Sequence, residues 1–190
     1  MKYSRVNADE LMRSWVLSES LRRHMYAVES VMRAYAREFG EDEELWGIAG
    51  LLHDFDYEKY PEYNETTKTG HPFEGVRELE KLGYPAEVVT AILGHALYSG
   101  VPRESLMAKT LFACDELSGF IVACAHLSPD KLMSLEVSSV KKKLKNKNFA
   151  SKVNREDIEL GIKEMKVDED SHIQFAILAL RGVSKELGFN

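Results

Sequence analysis

The chain has 190 residues, 44% of them hydrophobic, and its 31 acidic against 25 basic residues give a formal charge of −6. That length suits one compact unit with a substantial core, and the charge disfavours coating of duplex nucleic acid or of an anionic membrane. No apolar run approaches the roughly 18 residues of a membrane span and neither end carries a secretory pattern, so a soluble, cytoplasmic protein is expected.

Helical periodicity runs through the sequence, with no alternating β pattern and no repeat of solenoid length, which predicts an all-α fold. A first helix is expected over 8–15 with Asn7 as its cap, and a second over 20–39 ending at Gly40. Its stripe of Leu21, His24, Val28, Val31 and Tyr35 steps by three and four residues, which turns His24 inward. A third helix over 42–54 buries Leu45, Ile48, Ala49 and Leu52. His53, four residues after Ala49, also points inward, and Asp54 follows it by about 100° of rotation. Residues 55–70, with Pro61, Asn64, three threonines and Gly70, read as a loop of a length that is often functional.

Pro72 fits the first turn of a short helix ending at Gly83, with His71 at its cap. A helix over 85–98 sets Val88, Ala91, Ile92 and His95 on one stripe, and one over 102–127 does the same with Ala108, Leu111, Phe112 and Asp115. Cys114 and Cys124 lie ten positions apart in that helix, about 15 Å at a helical rise. This is too far for a disulfide, so reduced core cysteines are expected. After Ser128 and Pro129 come a shorter helical piece and the basic run "KKKLKNKN" at 141–148, a surface helix or a lid over an anionic group. Helices over 155–165 and 170–187 close the chain, the last packing onto the bundle through Ile173, Phe175, Ala176, Ile177, Leu178 and Leu180.

His24, His53, Asp54, His71, His95 and Asp115 therefore converge on one interior from neighbouring elements. A single inward histidine is more often a hydrogen-bonded core residue than a ligand. Two buried aspartates are harder to dismiss, because no arginine or lysine shares their stripes and unpaired buried charge costs several kcal/mol. One or two divalent metal ions are the simplest counter-charge, and the mixed imidazole and carboxylate set favours iron, manganese or zinc over magnesium or calcium.

The order His24, His53-Asp54, Asp115 resembles the signature of the HD superfamily of metal-dependent phosphohydrolases. The resemblance covers about 20–127 and leaves 128–190 as a C-terminal helical extension, so the whole of 1–190 is expected to form one HD-type helical bundle with added helices. His71 and His95 resemble the extra histidines of two-metal members. This implies that Asp54 bridges two ions, with His24, His53 and Asp115 on one and His71 and His95 on the other. The stretch "AILGHALYSGVPRESLMAKTLFACDELSG" is similar to the corresponding part of bacterial HD dinucleoside polyphosphate hydrolases. Tyr57 stands where binuclear members often carry a lysine. Of the acidic pair found in members that hydrolyse guanosine polyphosphates only Glu58 is present, so that substrate is not assigned.

The implied chemistry is attack of metal-activated water on a phosphoester or phosphoanhydride of a small phosphorylated metabolite, with a nucleotide the expected class. Asp54 is central to it. Lys68 and Lys59, on the segment between ligands, rank ahead of Arg103 as cations that offset developing charge. Asp56 and Glu58 are candidates for a base or for an orienter of a metal-bound imidazole. His126 and His172, near helix ends, are assigned to capping or packing. Two rival functions remain: a di-iron oxygenase built on the same ligands, and a non-catalytic metal- or nucleotide-binding regulator. No duplex or membrane partner is expected, and a homo-oligomer is compatible with the sequence.

Overall fold

Serine, aspartate and asparagine punctuate this chain, and six of the nine helices among the described residues begin where one of them accepts a first-turn backbone N–H. The computed structural model describes residues 3–189. In chain order the helices are α1 (Arg5–Trp15), α2 (Glu19–Phe39), α3 (Glu43–Leu52), α4 (Phe73–Leu82), α5 (Ala86–His95), α6 (Leu106–His126), α7 (Val137–Leu144), α8 (Arg155–Met165) and α9 (Glu169–Arg181). No strand occurs among the described residues beyond an isolated bridge between Asn64 and Thr69, so the fold is all-α as the periodicity predicts.

Several boundaries differ from the sequence reading, each for a local reason. The Ser4 hydroxyl accepts the Asn7 N–H, so α1 starts at Arg5 and Ser4, not Asn7, is its cap. Pro72 occupies the cap of α4 instead of its first turn, and His71 precedes it through a cis peptide bond. α6 begins at Leu106 because Ser105 accepts the Ala108 N–H, leaving Pro102 in the irregular segment before it. α5 stops at His95 and a short 3-10 turn, Leu97–Ser99, follows. α9 stops at Arg181, and the residues after it form turns that return Leu187 and Phe189 to the core.

α6 is apolar on nearly all sides and runs through the middle, packed against α2, α5, α8 and α9, where a helix without a polar face has to lie. One apolar core takes in side chains from Ala8 in α1 to Phe189, including the buried free thiols of Cys114 and Cys124. Two glycines set the helix spacing that matters for the site. A Cβ at Gly50 would come within 2.9 Å of the Glu29 backbone, so its absence lets α3 close onto α2. A Cβ at Gly161 would lie 2.6 Å from Ala113 Cα, so α8 can rest directly on α6. No described helix is long and apolar enough to cross a membrane.

Candidate metal centre

The close crossing at Gly50 brings His53, one turn further along, beside His24 of α2. The Gly50 carbonyl accepts the His53 Nδ1–H at 2.8 Å, which leaves Nε2 as the inward atom. His24 Nε2 lies 3.2 Å from His53 Nε2 and 2.9 Å from Asp115 Oδ1, and His53 Nε2 lies 3.3 Å from the same oxygen. α2, the end of α3 and α6 thus supply a first trio.

A second trio meets it. His71 Nε2 and His95 Nε2 are 3.2 Å apart, and Asp54 Oδ1 is 3.3 Å from the one and 3.4 Å from the other. The other oxygen of Asp54, Oδ2, faces the first trio at 3.4 Å from His53 Nε2 and 3.7 Å from His24 Nε2. Both imidazoles of the second trio are held from behind. His95 Nδ1–H donates to the Ile92 carbonyl, and His71 Nδ1–H donates to Asp56 Oδ1 at 2.6 Å. Asp56 is buried, and its second oxygen accepts the Gly75 N–H at 2.7 Å.

These donors fit a metal. With the proton kept on Nδ1 by the acceptor it faces, the Nε2 atoms of His53, His71 and His95 present lone pairs, and lone pairs 3.2 Å apart repel unless a cation lies between them. Ligands about 2.0–2.1 Å from a tetrahedral ion are separated from one another by about 3.3 Å, close to the spacing within each trio. One donor atom from each of His24, His53 and Asp115, and separately from each of Asp54, His71 and His95, lies within 4.8 Å of the others in its group. Either group could hold an ion.

Electrostatics point the same way. Burial works to raise the Asp54 carboxyl, yet the imidazoles of His53, His95 and His71 outweigh it and hold the group well below the usual carboxylate range. Asp115 is lowered by His53 and His24 against the same penalty. Burial lowers His53, but Asp54 and Asp115 together raise it well above an ordinary imidazole. The carboxylates stay ionised when positive charge sits among them, on the imidazoles or on an ion that the rings hold.

A cavity of about 480 Å³ opens over the two trios. Its walls include Tyr57, Tyr98, Phe112, Glu116, Asn154 and Asp157, and no lysine or arginine lines it among the described residues. Burial, with Asp115 adding to it, pushes the Glu116 carboxyl up to about 7. Sequence reasoning missed Glu116, Tyr98, Asn154 and Asp157. Glu116 could have been found as the neighbour of Asp115, but Asn154 and Asp157 reach the cavity only because α8 docks on α6.

Glu58, Lys59 and Lys68 do not line this cavity, although Glu58 borders a neighbouring opening that contains His24 and Tyr57. Residues 53–59 are hydrogen-bonded turns, with Tyr57 N–H on Asp54 O and Lys59 N–H on Asp56 O, so the loop expected from position 55 begins only after Lys59. Those turns carry Glu58 to the backbone N–H groups of Leu17 and Ser18, at 2.9 Å each, and Lys59 onto the Trp15 ring at 4.2 Å. Lys68 donates to the Ser99 carbonyl at 3.1 Å. Arg103 is bound to Glu164 and to the Gly94 carbonyl. Of the two acidic candidates behind the imidazoles, Asp56 orients one and Glu58 does not. His172 is buried between Tyr35 and the Ala113 carbonyl, in a packing position.

Comparison with curated proteins and with solved structures finds no match. The family model of the HD domain matches residues 21–119, from the start of α2 into α6, and so takes in all six converging residues. With the helical fold and the paired histidine and aspartate trios already in place, this match covers more than half of the chain, and the chain belongs to the HD domain family, a superfamily of metal-dependent phosphohydrolases.

Proposed function

We propose that this chain is a divalent-metal phosphohydrolase acting on a phosphoester or phosphoanhydride of a small phosphorylated metabolite, with a nucleotide as the substrate class. One observation carries the reading: Asp54 turns Oδ1 to His71 and His95 and Oδ2 to His24 and His53, so a single carboxylate is shared by two metal-compatible trios. Divalent ions in such sets supply Lewis acidity and a water nucleophile that ionises near neutral pH. The chain's own residues do the positioning. Gly50, Ile92 and Asp56 accept the Nδ1–H groups and keep each Nε2 turned inward. Tyr57, about half exposed at the cavity mouth, offers a ring face on which a base can stack.

The test is a phosphoester panel run with protein purified without added metal and then loaded with manganese, iron or zinc. Release of phosphate or nucleotide from at least one member, abolished by His53→Ala and by Asp54→Ala, is the expected result. A silent panel with two ions bound per chain would sink the proposal. The lack of any lysine or arginine on the cavity wall among the described residues favours one rival, a di-iron oxygenase with an uncharged substrate. Substrate-dependent oxygen uptake by the iron-loaded protein identifies it.

A further inference from the structure

Among the described residues the cavity over the centre has no lysine or arginine, but a basic groove adjoins it. Resting on the phosphohydrolase reading, we infer that the groove between α7 and the start of α8 receives a second phosphate group of the substrate, so that the substrate carries more than one phosphate along its length.

The groove encloses about 720 Å³ and is walled by Lys141, Lys145, Lys147, Lys152 and Arg155 together with three glutamates. Lys141 is held by Glu169 at 3.0 Å and by Asp170, which uses up one of those carboxylates. Lys145, Lys147 and Lys152 are exposed and have no carboxylate partner among the described residues. Arg155 plays another part: it donates to the carbonyls of Phe149, Ala150 and Val153, so the segment that carries Lys147 and Lys152 is folded around a guanidinium. The positive wall is built in advance of any ligand.

Two residues join this groove to the centre. Asn154 lines both the groove and the cavity over the two trios. Lys152 lines both the groove and a side opening that contains His24 and Tyr57. An elongated anion can therefore run from the trios past His24 and Asn154 to the lysines without leaving the surface. Its size is bounded by the charge. Five cations line the groove against Glu156, Glu159 and Glu169, and this surplus of two positive charges matches one phosphate group. A duplex backbone needs many more contacts and would be repelled by a chain of net charge −6. All of these lysines lie outside residues 21–119, so the C-terminal extension supplies what the HD core lacks.

The experiment measures binding of inorganic tripolyphosphate by calorimetry to the full chain and to Lys145→Ala/Lys147→Ala/Lys152→Ala, each also on a His53→Ala background. The lysine replacements are expected to weaken binding about tenfold and to flatten its salt dependence in both backgrounds, because the effect is electrostatic and local. Arginine at the same three positions should restore it. Equal affinity with and without the lysines, in either background, overturns the inference, as does a wild-type chain that binds no tripolyphosphate. Lysine-dependent binding beside a silent phosphoester panel would overturn the hydrolase reading and leave the anion groove standing. Phosphate release beside lysine-independent binding does the reverse.

Discussion

His71 donates its Nδ1–H to Asp56 at 2.6 Å, and this bond decides which nitrogen of the ring faces Asp54. Asp56 is itself fixed by the Gly75 N–H, so the orienting carboxylate has no freedom to follow the ring. Partners behind a ligating imidazole commonly contribute 10–100-fold to metal affinity, about as much as some ligands.

Asp56→Asn is therefore expected to weaken metal binding at the trio of Asp54, His71 and His95 by about 10–100-fold in a chelator competition titration. The asparagine carbonyl can still accept the Gly75 N–H, so the melting temperature should change little. Unchanged metal affinity would mean that the His71 ring is held by its packing and not by this carboxylate.

Glu58 tests the opposite case. Its Oε2 accepts the N–H groups of Leu17 and Ser18 ahead of α2, a capping task, although the residue borders the opening that contains His24. Glu58→Ala should cost at most about 1 kcal/mol of stability, the lower range for an exposed cap, and leave metal stoichiometry at the wild-type value. Loss of an ion on this substitution would return Glu58 to the centre.

Gly161 sits in the interior of α8, where alanine ordinarily stabilises a helix by about 0.5–1 kcal/mol over glycine. Here the added Cβ would lie 2.6 Å from Ala113 Cα on α6, a backbone neighbour that cannot swing aside. Gly161→Ala is thus expected to destabilise by about 1–3 kcal/mol, lowering the melting temperature by about 2–4 °C per kcal/mol. A rise in melting temperature would show that α8 can lift from α6. In that event Asn154 and Asp157 would not be fixed on the cavity wall.

These contrasts explain what was legible in the sequence. His24, His95 and Asp115 could be read because each replaces an apolar residue on a regular stripe, and a stripe fixes direction without knowledge of the rest of the fold. Lys59 and Lys68 could not. Their directions depend on how residues 53–59 turn after α3 ends, and proximity in sequence to two ligands says nothing of that. Asn154 and Asp157 were invisible for a different reason: they reach the cavity through the docking of α8 at Gly161, a tertiary contact with no local pattern. Ser4 and Asn7 are both good caps, and only the hydrogen bond between them shows which one serves.

His172 gives a test away from the metal. Its Nε2–H donates to the Ala113 carbonyl at 3.1 Å and its Nδ1 accepts the Tyr35 hydroxyl at 2.5 Å, so the neutral ring is satisfied on both nitrogens. Burial lowers its pKa below the ordinary 6.5, with the Ala113 bond opposing only in part. Below pH 6.5 the unfolded chain takes up a proton that the folded ring refuses, so the unfolded state binds more protons and stability falls as pH falls. The contribution is whole above the unfolded value and is lost as pH drops towards the depressed folded one. Glutamine can make both hydrogen bonds without titrating. The stability difference between the wild type and His172→Gln, measured by denaturant unfolding, should therefore move against the wild type as pH is lowered from 7 to 5. Parallel curves over that range would mean that the ring can be protonated in place, with Tyr35 turning to accept the second N–H.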